Sequence, residues 1–257
     1  TKTGEQLANT KIYFQDNDEK KRYDAIFATK PSNILIGKKP ILFDEWQDYK
    51  DVWDLIRMDV DRTGKKGQYI LTGSTSQKMQ TKHTGTLRIA RLQMYPMSLY
   101  ESGESNGTIS LKELFENPNK YKSYECNLKY EDYAYLTCRG GWPEIFTVEG
   151  KVKKLAIAQS LYNQIYQVDI EHINKSCKNK VLAKQILKSY SRNICTTAKN
   201  TTIYDDITES KNVDTIKRYI SALKDLFIIE DIEAWNPNVL SGYAVRLAPK
   251  KNFVDPS

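Results

Sequence analysis

The sequence predicts an α/β fold with a parallel sheet, followed by a helical segment and a winged helix-turn-helix domain. Strand-like and helix-like segments alternate over about the first 95 residues, which is typical of parallel strands joined by helical crossovers. In the last third, three helix-like segments precede two short apolar segments, which is the order found in winged helices. We therefore place domains at residues 1–103, 104–175 and 176–257.

The first domain contains three strand-like segments with helices between them. Short apolar segments predict strands at 10–15, 40–43 and 68–71, and patterns with one apolar face predict helices at 16–29 and 51–62. Gly64 and Gly67 end the second helix. A further strand is predicted at 87–94, and Pro96 begins a turn that enters a helix. The incomplete sheet is therefore expected to be parallel.

The remaining segments are mostly helical. Helices are predicted at 111–115, 130–138 and 151–172, and the second of these ends where Gly140, Gly141 and Pro143 prevent its continuation. Helices at 181–195, 203–208 and 213–227 follow, and then apolar segments at 228–235 and 244–254. We expect these two segments to pair as the ribbon of a wing.

The apolar run Ile41-Leu42-Phe43 leads directly into two carboxylates, Asp44 and Glu45. A buried parallel strand has such a continuous apolar run, and its carboxyl end is where α/β sheets bind ligands. Asp44 would help to hold Mg²⁺, usually through water, and Glu45 would orient and deprotonate the water that attacks the γ-phosphate of ATP. Gln47 could orient water, and Trp46 could simply pack. The alternative is a strand that ends in an acidic turn.

Composition and cysteine spacing exclude several classes of protein. The 257 residues are 40% hydrophobic and 28% charged, with no long apolar run and no signal-peptide pattern. The four cysteines are widely spaced and form no C-x-x-C pair, which supports neither a zinc site nor a disulfide framework. We therefore expect a cytoplasmic protein with no membrane partner.

The net charge of +7 comes from the middle of the chain. Residues 1–150 contain 22 basic and 21 acidic side chains, residues 151–198 contain 9 and 2, and residues 199–257 contain 8 and 9. The positive charge therefore does not predict a DNA-binding field along the whole chain.

Basic residues in two predicted helices are candidates for contact with DNA. Four of them recur at every fourth position, and this spacing places them along one side of a helix: Lys180, Lys184, Lys188 and Arg192. Such a stripe could follow a phosphate backbone, or it could be the solvated face of an amphipathic helix. Lys217 and Arg218 lie on the expected recognition helix, where Asp214 and Asp225 offset their charge. This helix could instead pack against the first domain.

Short motifs in a fixed order extend through the whole chain. They are Gln6-Leu7-Ala8-Asn9, Tyr13-Phe14-Gln15-Asp16, Lys30-Pro31-Ser32, Lys39 to Gln47, Gln68 to Ser74, His83-Thr84-Gly85, Arg88 to Leu92, Pro96 to Glu101, Gly140 to Glu144 and Phe253 to Ser257. In this order they resemble prokaryotic AAA-type P-loop ATPases that continue into a winged helix and a C-terminal domain of unknown function, often described as restriction-endonuclease-like. The resemblance implies that Asp44 and Glu45 form a Walker B motif, with ATP and Mg²⁺ as ligands.

The resemblance also implies a glycine-rich P-loop, G-x-x-x-x-G-K-[ST], whose amides and lysine hold the phosphates. No such run occurs in the sequence, and in the family it lies just before the stretch similar to Thr3-Gly4-Glu5-Gln6. We therefore expect the chain to begin within or just after that loop, with either Thr1 or the pair Lys2 and Thr3 among its phosphate-binding residues. It is likewise expected to end where the nuclease-like domain would begin, and to hydrolyse ATP negligibly by itself.

Five further residues resemble functional positions of these ATPases. Thr72 and Ser74 follow the strand after the Walker B strand and resemble the sensor position, although a Thr-Gly-Ser turn can simply end a strand. Arg88 and Arg91 are candidates for an arginine finger or sensor arginine, acting within the domain or from a neighbouring copy in a homo-oligomer. Both could equally form surface salt bridges. Arg139 is a weaker third candidate.

Two functions are therefore open from the sequence. In the first, the intact protein is an AAA-type ATPase whose hydrolysis is coupled to an unknown process, which could involve nucleic acid. In the second, it is a non-enzymatic DNA-binding regulator that uses the basic helix and the winged helix, with the ATPase core as a folded relic.

Overall fold

The computed structural model describes residues 1–73, 87–121, 124–235 and 247–257. These residues form two compact units, Thr1–Gln93 and Met94–Ser257. The three-part division at residues 103 and 175 stays a prediction. In the described part of the chain, no helix is long and apolar enough to span a membrane.

The first unit is an α/β structure around a parallel sheet. Its described strands are β1 (Thr10–Tyr13), β2 (Ile41–Asp44) and β3 (Tyr69–Thr72), which lie side by side in that order. Its helices are α1 (Lys2–Leu7), α2 (Lys20–Thr29) and α3 (Asp51–Thr63), with 3₁₀ turns at Pro31–Leu35 and Trp46–Tyr49. Adjacent parallel strands require a crossover, and α2 and α3 provide the two crossovers. The predicted α/β core with a parallel sheet is thus present.

Burial explains why the second strand has a continuous apolar sequence. The side chains of Ile41, Leu42 and Phe43 are all 0% exposed, so both faces of β2 are covered. Helix α3 contributes Val52, Trp53 and Ile56 to the core around this strand. It ends at Gly64, whose φ of 64° is the left-handed conformation in which glycine commonly terminates a helix.

The strand predicted at 87–94 is wrong. These residues form turns and coil, and the side chains of Leu87 and Leu92 are 92% and 84% exposed. The backbone of Leu87 has a φ of 68°, which is incompatible with a strand. In the described part of the chain no strand pairs with this segment, and such pairing is what would have satisfied its backbone hydrogen bonds in an extended conformation.

The second unit is mainly helical. Its helices are α4 (Leu111–Glu116), α5 (Tyr130–Arg139), α6 (Lys151–Gln164), α7 (Ile170–Ile173), α8 (Lys180–Arg192), α9 (Asn200–Asp205) and α10 (Val213–Asp225). A π-helical segment, Ile165–Asp169, joins α6 to α7. The helix predicted at 151–172 is therefore one continuous helical run with a π-bulge.

Helices α8 and α10 hold the core of the second unit. Both begin at an asparagine whose side-chain oxygen accepts backbone hydrogen bonds, Asn179 for α8 and Asn212 for α10. Their buried residues pack together with those of α9 in one cluster, of which Ile186, Ile203 and Leu223 are all 0% exposed. The predicted positions of these three helices are correct to within a few residues.

The segments after α10 approach each other in antiparallel fashion. Among described residues, isolated bridges pair Ile229 with Phe253 and Ile232 with Lys250. The segment between them, residues 236–246, lies outside the described residues. The assignment of this region as a winged helix stays a prediction.

Candidate functional site

Three side chains line up at the carboxyl edge of the sheet in the first unit. The parallel register pairs Tyr13 of β1 with Asp44 of β2, and Asp44 with Thr72 of β3. Polar groups from three neighbouring strands therefore end at one edge, where open α/β sheets bind their ligands. Asp44 and Thr72, which both end strands in the sequence, are therefore neighbours at this edge.

Asp44 is the centre of this group. Its Oδ1 accepts one hydrogen bond from Thr1 Oγ1 at 2.6 Å and another from Thr72 Oγ1 at 2.6 Å. The carboxylate is only partly buried, so solvent and ligands can reach it. Two of the predicted nucleotide-binding residues, Thr1 and Thr72, are thus brought together on the predicted metal-binding carboxylate. Ser74, the other predicted sensor residue, lies outside the described residues.

Gly4 allows Thr1 to reach the sheet. It is the buried residue of α1, and a Cβ at this position would lie 3.0 Å from Leu42 Cδ1 and 3.3 Å from Ile70 Cγ2. Contacts this short leave almost no room for a larger side chain. Because α1 lies directly on the sheet at Gly4, Thr1, the residue just before this helix, lies over the end of β2.

The atoms around Asp44 suit a hard divalent cation. Mg²⁺ prefers oxygen ligands and typically keeps several waters, so one or two carboxylates are enough to hold it together with phosphate oxygens. Here two hydroxyls each lie within hydrogen-bonding distance of one carboxylate. Among the residues that the structure describes, no group of three or more His, Cys, Asp or Glu could form a protein-only metal cage. The donor set therefore fits Mg²⁺ bound together with a phosphate ligand.

Glu45 directly follows Asp44 in an uncommon backbone conformation. Its φ and ψ are 51° and 45°, in the left-handed region that few residues other than glycine adopt. Its carbonyl oxygen accepts a hydrogen bond from Asp48 N at 3.0 Å, which closes the 3₁₀ turn. Such backbone strain is concentrated at functional sites in proteins, and here it turns the chain sharply at the edge of the sheet.

Trp46 and Gln47 support this turn. Trp46 is buried and packs against Trp53 with ring centroids 5.2 Å apart, so it has a packing role. Gln47 Nε2 donates a hydrogen bond to Glu45 Oε2 at 2.5 Å. The Oε1 atom of the same amide lies beside Gly73, where a Cβ would be only 2.5 Å from it. Gln47 therefore extends from Glu45 to the end of β3.

A second polar group lies beside Asp44 on α1 and β1. Tyr13 OH donates to Glu5 Oε1 at 3.0 Å, and Lys2 Nζ lies 3.2 Å from Glu5 Oε2. The hydrogen bond from Tyr13 is the main reason why the pKa of Glu5 is lowered, and burial is the main reason why the pKa of Tyr13 is raised. Lys2 thus pairs with Glu5, and Thr3 is exposed on the same helix. Sequence reasoning did not select Glu5 or Tyr13, although Tyr13 ends its strand as Asp44 does.

The two candidate arginines of the first unit lie at different ends of α3. Arg88 Nε lies 2.7 Å from Asp61 Oδ1, in the last turns of this helix. The guanidinium of Arg91 is 5.7 Å from the centroid of the Trp53 ring, in the first turn. Helix α3 begins just after the 3₁₀ turn Trp46–Tyr49 and ends before β3 begins, so Arg91 lies toward the carboxyl edge of the sheet and Arg88 toward the opposite edge.

Arg139, the third candidate arginine, is buried within the second unit. Its side chain is only 3% exposed and forms an ion pair with Glu104. Its Nε donates to the carbonyl oxygen of Gly140 at 3.0 Å, and its guanidinium lies 4.7 Å from the ring centroid of Phe146. These contacts describe a structural role for Arg139.

The predicted DNA-binding residues are exposed on α8 and α10. Lys180, Lys184, Lys188 and Arg192 are exposed along α8, as the four-residue spacing predicts. Two of them have partners within the second unit, since Arg192 lies 2.5 Å from Asp206 and Lys184 lies 5.6 Å from the ring centroid of Tyr166.

On α10, Lys217 Nζ lies 3.7 Å from Asp214 Oδ1, and Arg218 is exposed next to it. Part of the positive charge on both helices is therefore offset by acidic side chains.

Comparison with known proteins supports the interpretation of the amino-terminal part. Residues 3–103 match a protein family described as an AAA domain, and residues 130–257 match a family described as a domain of unknown function, DUF8612. No curated protein and no solved structure matches the chain. The first match supports an AAA-type, P-loop ATPase-like domain and nucleotide binding. The second match assigns no function to the carboxyl-terminal part.

Proposed function

We propose that the intact protein binds ATP with Mg²⁺ on its AAA domain and hydrolyses it at the carboxyl edge of the sheet. The observation that carries this proposal is the pair of 2.6 Å hydrogen bonds that bring the hydroxyls of Thr1 and Thr72 to Asp44 Oδ1. Glu45, the next residue, is held by Gln47 beside this group. A carboxylate with flanking hydroxyls and a second carboxylate beside it supplies the metal-binding and water-orienting parts of a site for phosphoryl transfer to water.

Each residue has a separate role in this proposal. Asp44 and Thr1 hold the cation and its waters, and Thr72 contacts the γ-phosphate or the attacking water. Mg²⁺, when bound, neutralises charge that develops on the phosphate oxygens. Glu45 accepts a proton from the attacking water, which raises the nucleophilicity of its oxygen. Lys2 or Thr3, on the first turn of α1, would contact phosphate oxygens, and Lys2 would exchange Glu5 for that partner.

Arg91 is the better of the two arginine candidates for contact with nucleotide, from within the domain or from a neighbouring copy. Asp61 follows Trp53 by eight residues on α3, which corresponds to about 12 Å along the helix axis at 1.5 Å per residue. Arg88 is thus held by Asp61 about two turns further from the Walker B turn than Arg91 is. Arg88 would also have to give up this ion pair in order to reach a phosphate.

ATP hydrolysis by the protein as its gene encodes it tests the proposal. We expect Mg²⁺-dependent turnover that falls at least about 100-fold in Glu45→Gln, while ATP still binds, because only the proton acceptor has been removed. Asp44→Asn should instead weaken the dependence on Mg²⁺. Turnover that is unchanged in Glu45→Gln would contradict the assignment.

DNA binding by the second unit is the other candidate function. It is favoured by the exposed cations Lys180, Lys184 and Lys188 on one side of α8, and opposed by the acidic partners of Arg192 and Lys217. Binding through this stripe should weaken steeply as salt increases, because phosphate contacts release counterions. A gel-shift titration at several salt concentrations, with Lys184→Glu and Lys188→Glu, measures this dependence. Absence of binding at low salt would leave the ATPase function alone.

A further inference from the structure

The side chain of Gln47 has two contacts that together determine its orientation. Its Nε2 donates to Glu45 Oε2 at 2.5 Å, and its Oε1 lies beside Gly73 at the end of β3, 2.5 Å from where a Cβ would be. A carboxylate accepts hydrogen bonds and cannot donate them when ionised, so the NH₂ group of the amide must face Glu45. The oxygen of the amide must then face Gly73, as observed.

The backbone between the two residues is held by Trp46. This side chain is buried and packs on Trp53, while Glu45 and Gln47 are partly exposed on either side of it. Glu45 lies in the left-handed conformation, which directs it away from the path of β2. The buried indole thus anchors the turn, and the amide of Gln47 holds one oxygen of the Glu45 carboxylate.

Gly73 provides the space that this arrangement needs. Its φ lies outside the left-handed range, so the backbone there does not itself require glycine. A Cβ at this position would nevertheless lie 2.5 Å from Gln47 Oε1 and 3.4 Å from Gln47 Cδ. A glycine at the end of β3 is therefore explained by the amide that lies against it.

We propose that Gln47 is a positioning residue that holds Glu45 in the orientation for proton abstraction. Gly73, which has no side chain, leaves the space that the amide of Gln47 needs. This inference rests on the proposed ATPase function. The residue type follows from the geometry. Asparagine is one methylene too short to reach from Glu45 to Gly73, and glutamate would place a second acceptor against the carboxylate. Glutamine has both the length and the donor.

The test is the rate of ATP hydrolysis in a single turnover by the protein as its gene encodes it, measured beside the dissociation constant of a fluorescent ATP analogue. Gln47→Ala and Gln47→Glu should each slow hydrolysis by about 10-fold or more and leave the dissociation constant within about twofold, because only the orientation of Glu45 is lost. The matched control is Gln68→Ala. Gln68 lies just before the start of β3, at the opposite edge of the sheet, and within the described residues its side chain donates to the carbonyl oxygen of Lys66. This variant should match wild type in both measurements.

A double-mutant cycle separates positioning from a general loss of structure. Gly73→Ala should also slow hydrolysis, because its methyl group displaces the amide of Gln47. The double variant Gln47→Ala, Gly73→Ala should be no slower than Gln47→Ala alone, since the methyl group then has nothing to displace. If the fold-losses of the two single variants instead multiply in the double variant, the inference is overturned.

The outcomes distinguish this inference from the function on which it rests. If wild type hydrolyses ATP in a Glu45-dependent manner but Gln47→Ala and Gln47→Glu stay within about twofold of it, the positioning role alone is overturned. If wild type shows no Glu45-dependent hydrolysis, the proposed function itself fails, and the positioning role fails with it. Melting curves of each variant confirm that the loss of rate does not reflect unfolding.

Discussion

Replacing Arg139 with alanine should destabilise the second unit, because this arginine is a buried partner in an ion pair. Its side chain is 3% exposed and that of Glu104 is 23% exposed, and the two form a direct ion pair. The same guanidinium donates to the carbonyl oxygen of Gly140 and lies over the ring of Phe146. Alanine would remove all three contacts and leave Glu104 without its main cation.

The expected loss follows from the burial of the pair. Removing one partner of a buried ion pair typically costs about 3–5 kcal/mol. Since Glu104 is partly exposed, water can solvate the carboxylate that remains, so we expect the lower end, about 3 kcal/mol. For a unit as long as Met94–Ser257, each kcal/mol lowers the melting temperature by about 2–4 °C, which gives a fall of about 6–12 °C.

Thermal and urea unfolding of the Arg139→Ala variant measure this loss. Arg139→Lys should recover part of it, because lysine keeps the charge but lacks the planar fork. Glu104→Gln and the double variant complete a cycle that isolates the coupling between the two side chains. A melting temperature within about 2 °C of wild type, accompanied by loss of ATP hydrolysis, would refute the structural role and assign Arg139 to the nucleotide.

The loss should also depend on pH. Burial of Glu104 opposes its ionisation, but hydrogen bonds from Arg139 and Ser102 outweigh this, so its pKa lies below the usual 4.5. Because the pKa of Glu104 is lower in the folded state, the ion pair stabilises the fold at any pH above the pKa of this carboxyl in the unfolded state. This stabilisation is lost as pH falls through the pKa of the folded state. The difference in stability between wild type and Arg139→Ala should therefore be full at neutral pH and should shrink as pH falls below the usual pKa of 4.5.

Two further predictions concern close packing and burial. Gly4→Val should cost about 1–3 kcal/mol of stability by overpacking, because even a Cβ there would lie 3.0 Å from Leu42 Cδ1, and Gly4→Ala should cost less. Urea unfolding measures both losses. Equal stability of Gly4→Val and wild type would contradict the close approach of α1 to the sheet. Lys251 and Lys224 contact the same Asp231 oxygen, but the side chain of Lys251 is 1% exposed and that of Lys224 is 43% exposed. Lys251→Met should therefore cost about 2–3 kcal/mol of stability, and Lys224→Met less than about 1 kcal/mol. Equal losses would contradict the argument that the buried ion pair contributes more to stability than the exposed one.

Much of the secondary structure could be predicted because it depends on local patterns. The continuous apolar run before Asp44 predicts a buried strand, and Ile41, Leu42 and Phe43 are fully buried. The strand predicted at 87–94 failed for a related reason. An apolar pattern shows only that a segment could be extended, and a strand also needs a neighbour that accepts its backbone hydrogen bonds.

Some of the residues that meet at the candidate site could be predicted from the sequence. Asp44 and Thr72 follow neighbouring strands, so parallel pairing brings them to the same edge, where the structure places them in register. Glu5 and Tyr13 were not selected, because a tyrosine at a strand end has no distinctive motif. Their hydrogen bond depends on how α1 lies beside β1, which no local pattern specifies.

The sequence by itself determined the alternation of strands and helices, the position of Asp44 and Glu45 at a strand end, and the four-residue stripe on α8. Only the tertiary structure decided which side chains meet. It brings Thr1 to Asp44, holds Gln47 between Glu45 and Gly73, and buries Arg139. The physical reason is one of range. Periodicity and strand ends are set by neighbouring residues along the chain, whereas hydrogen bonds and ion pairs between distant residues exist only after close packing has brought them together.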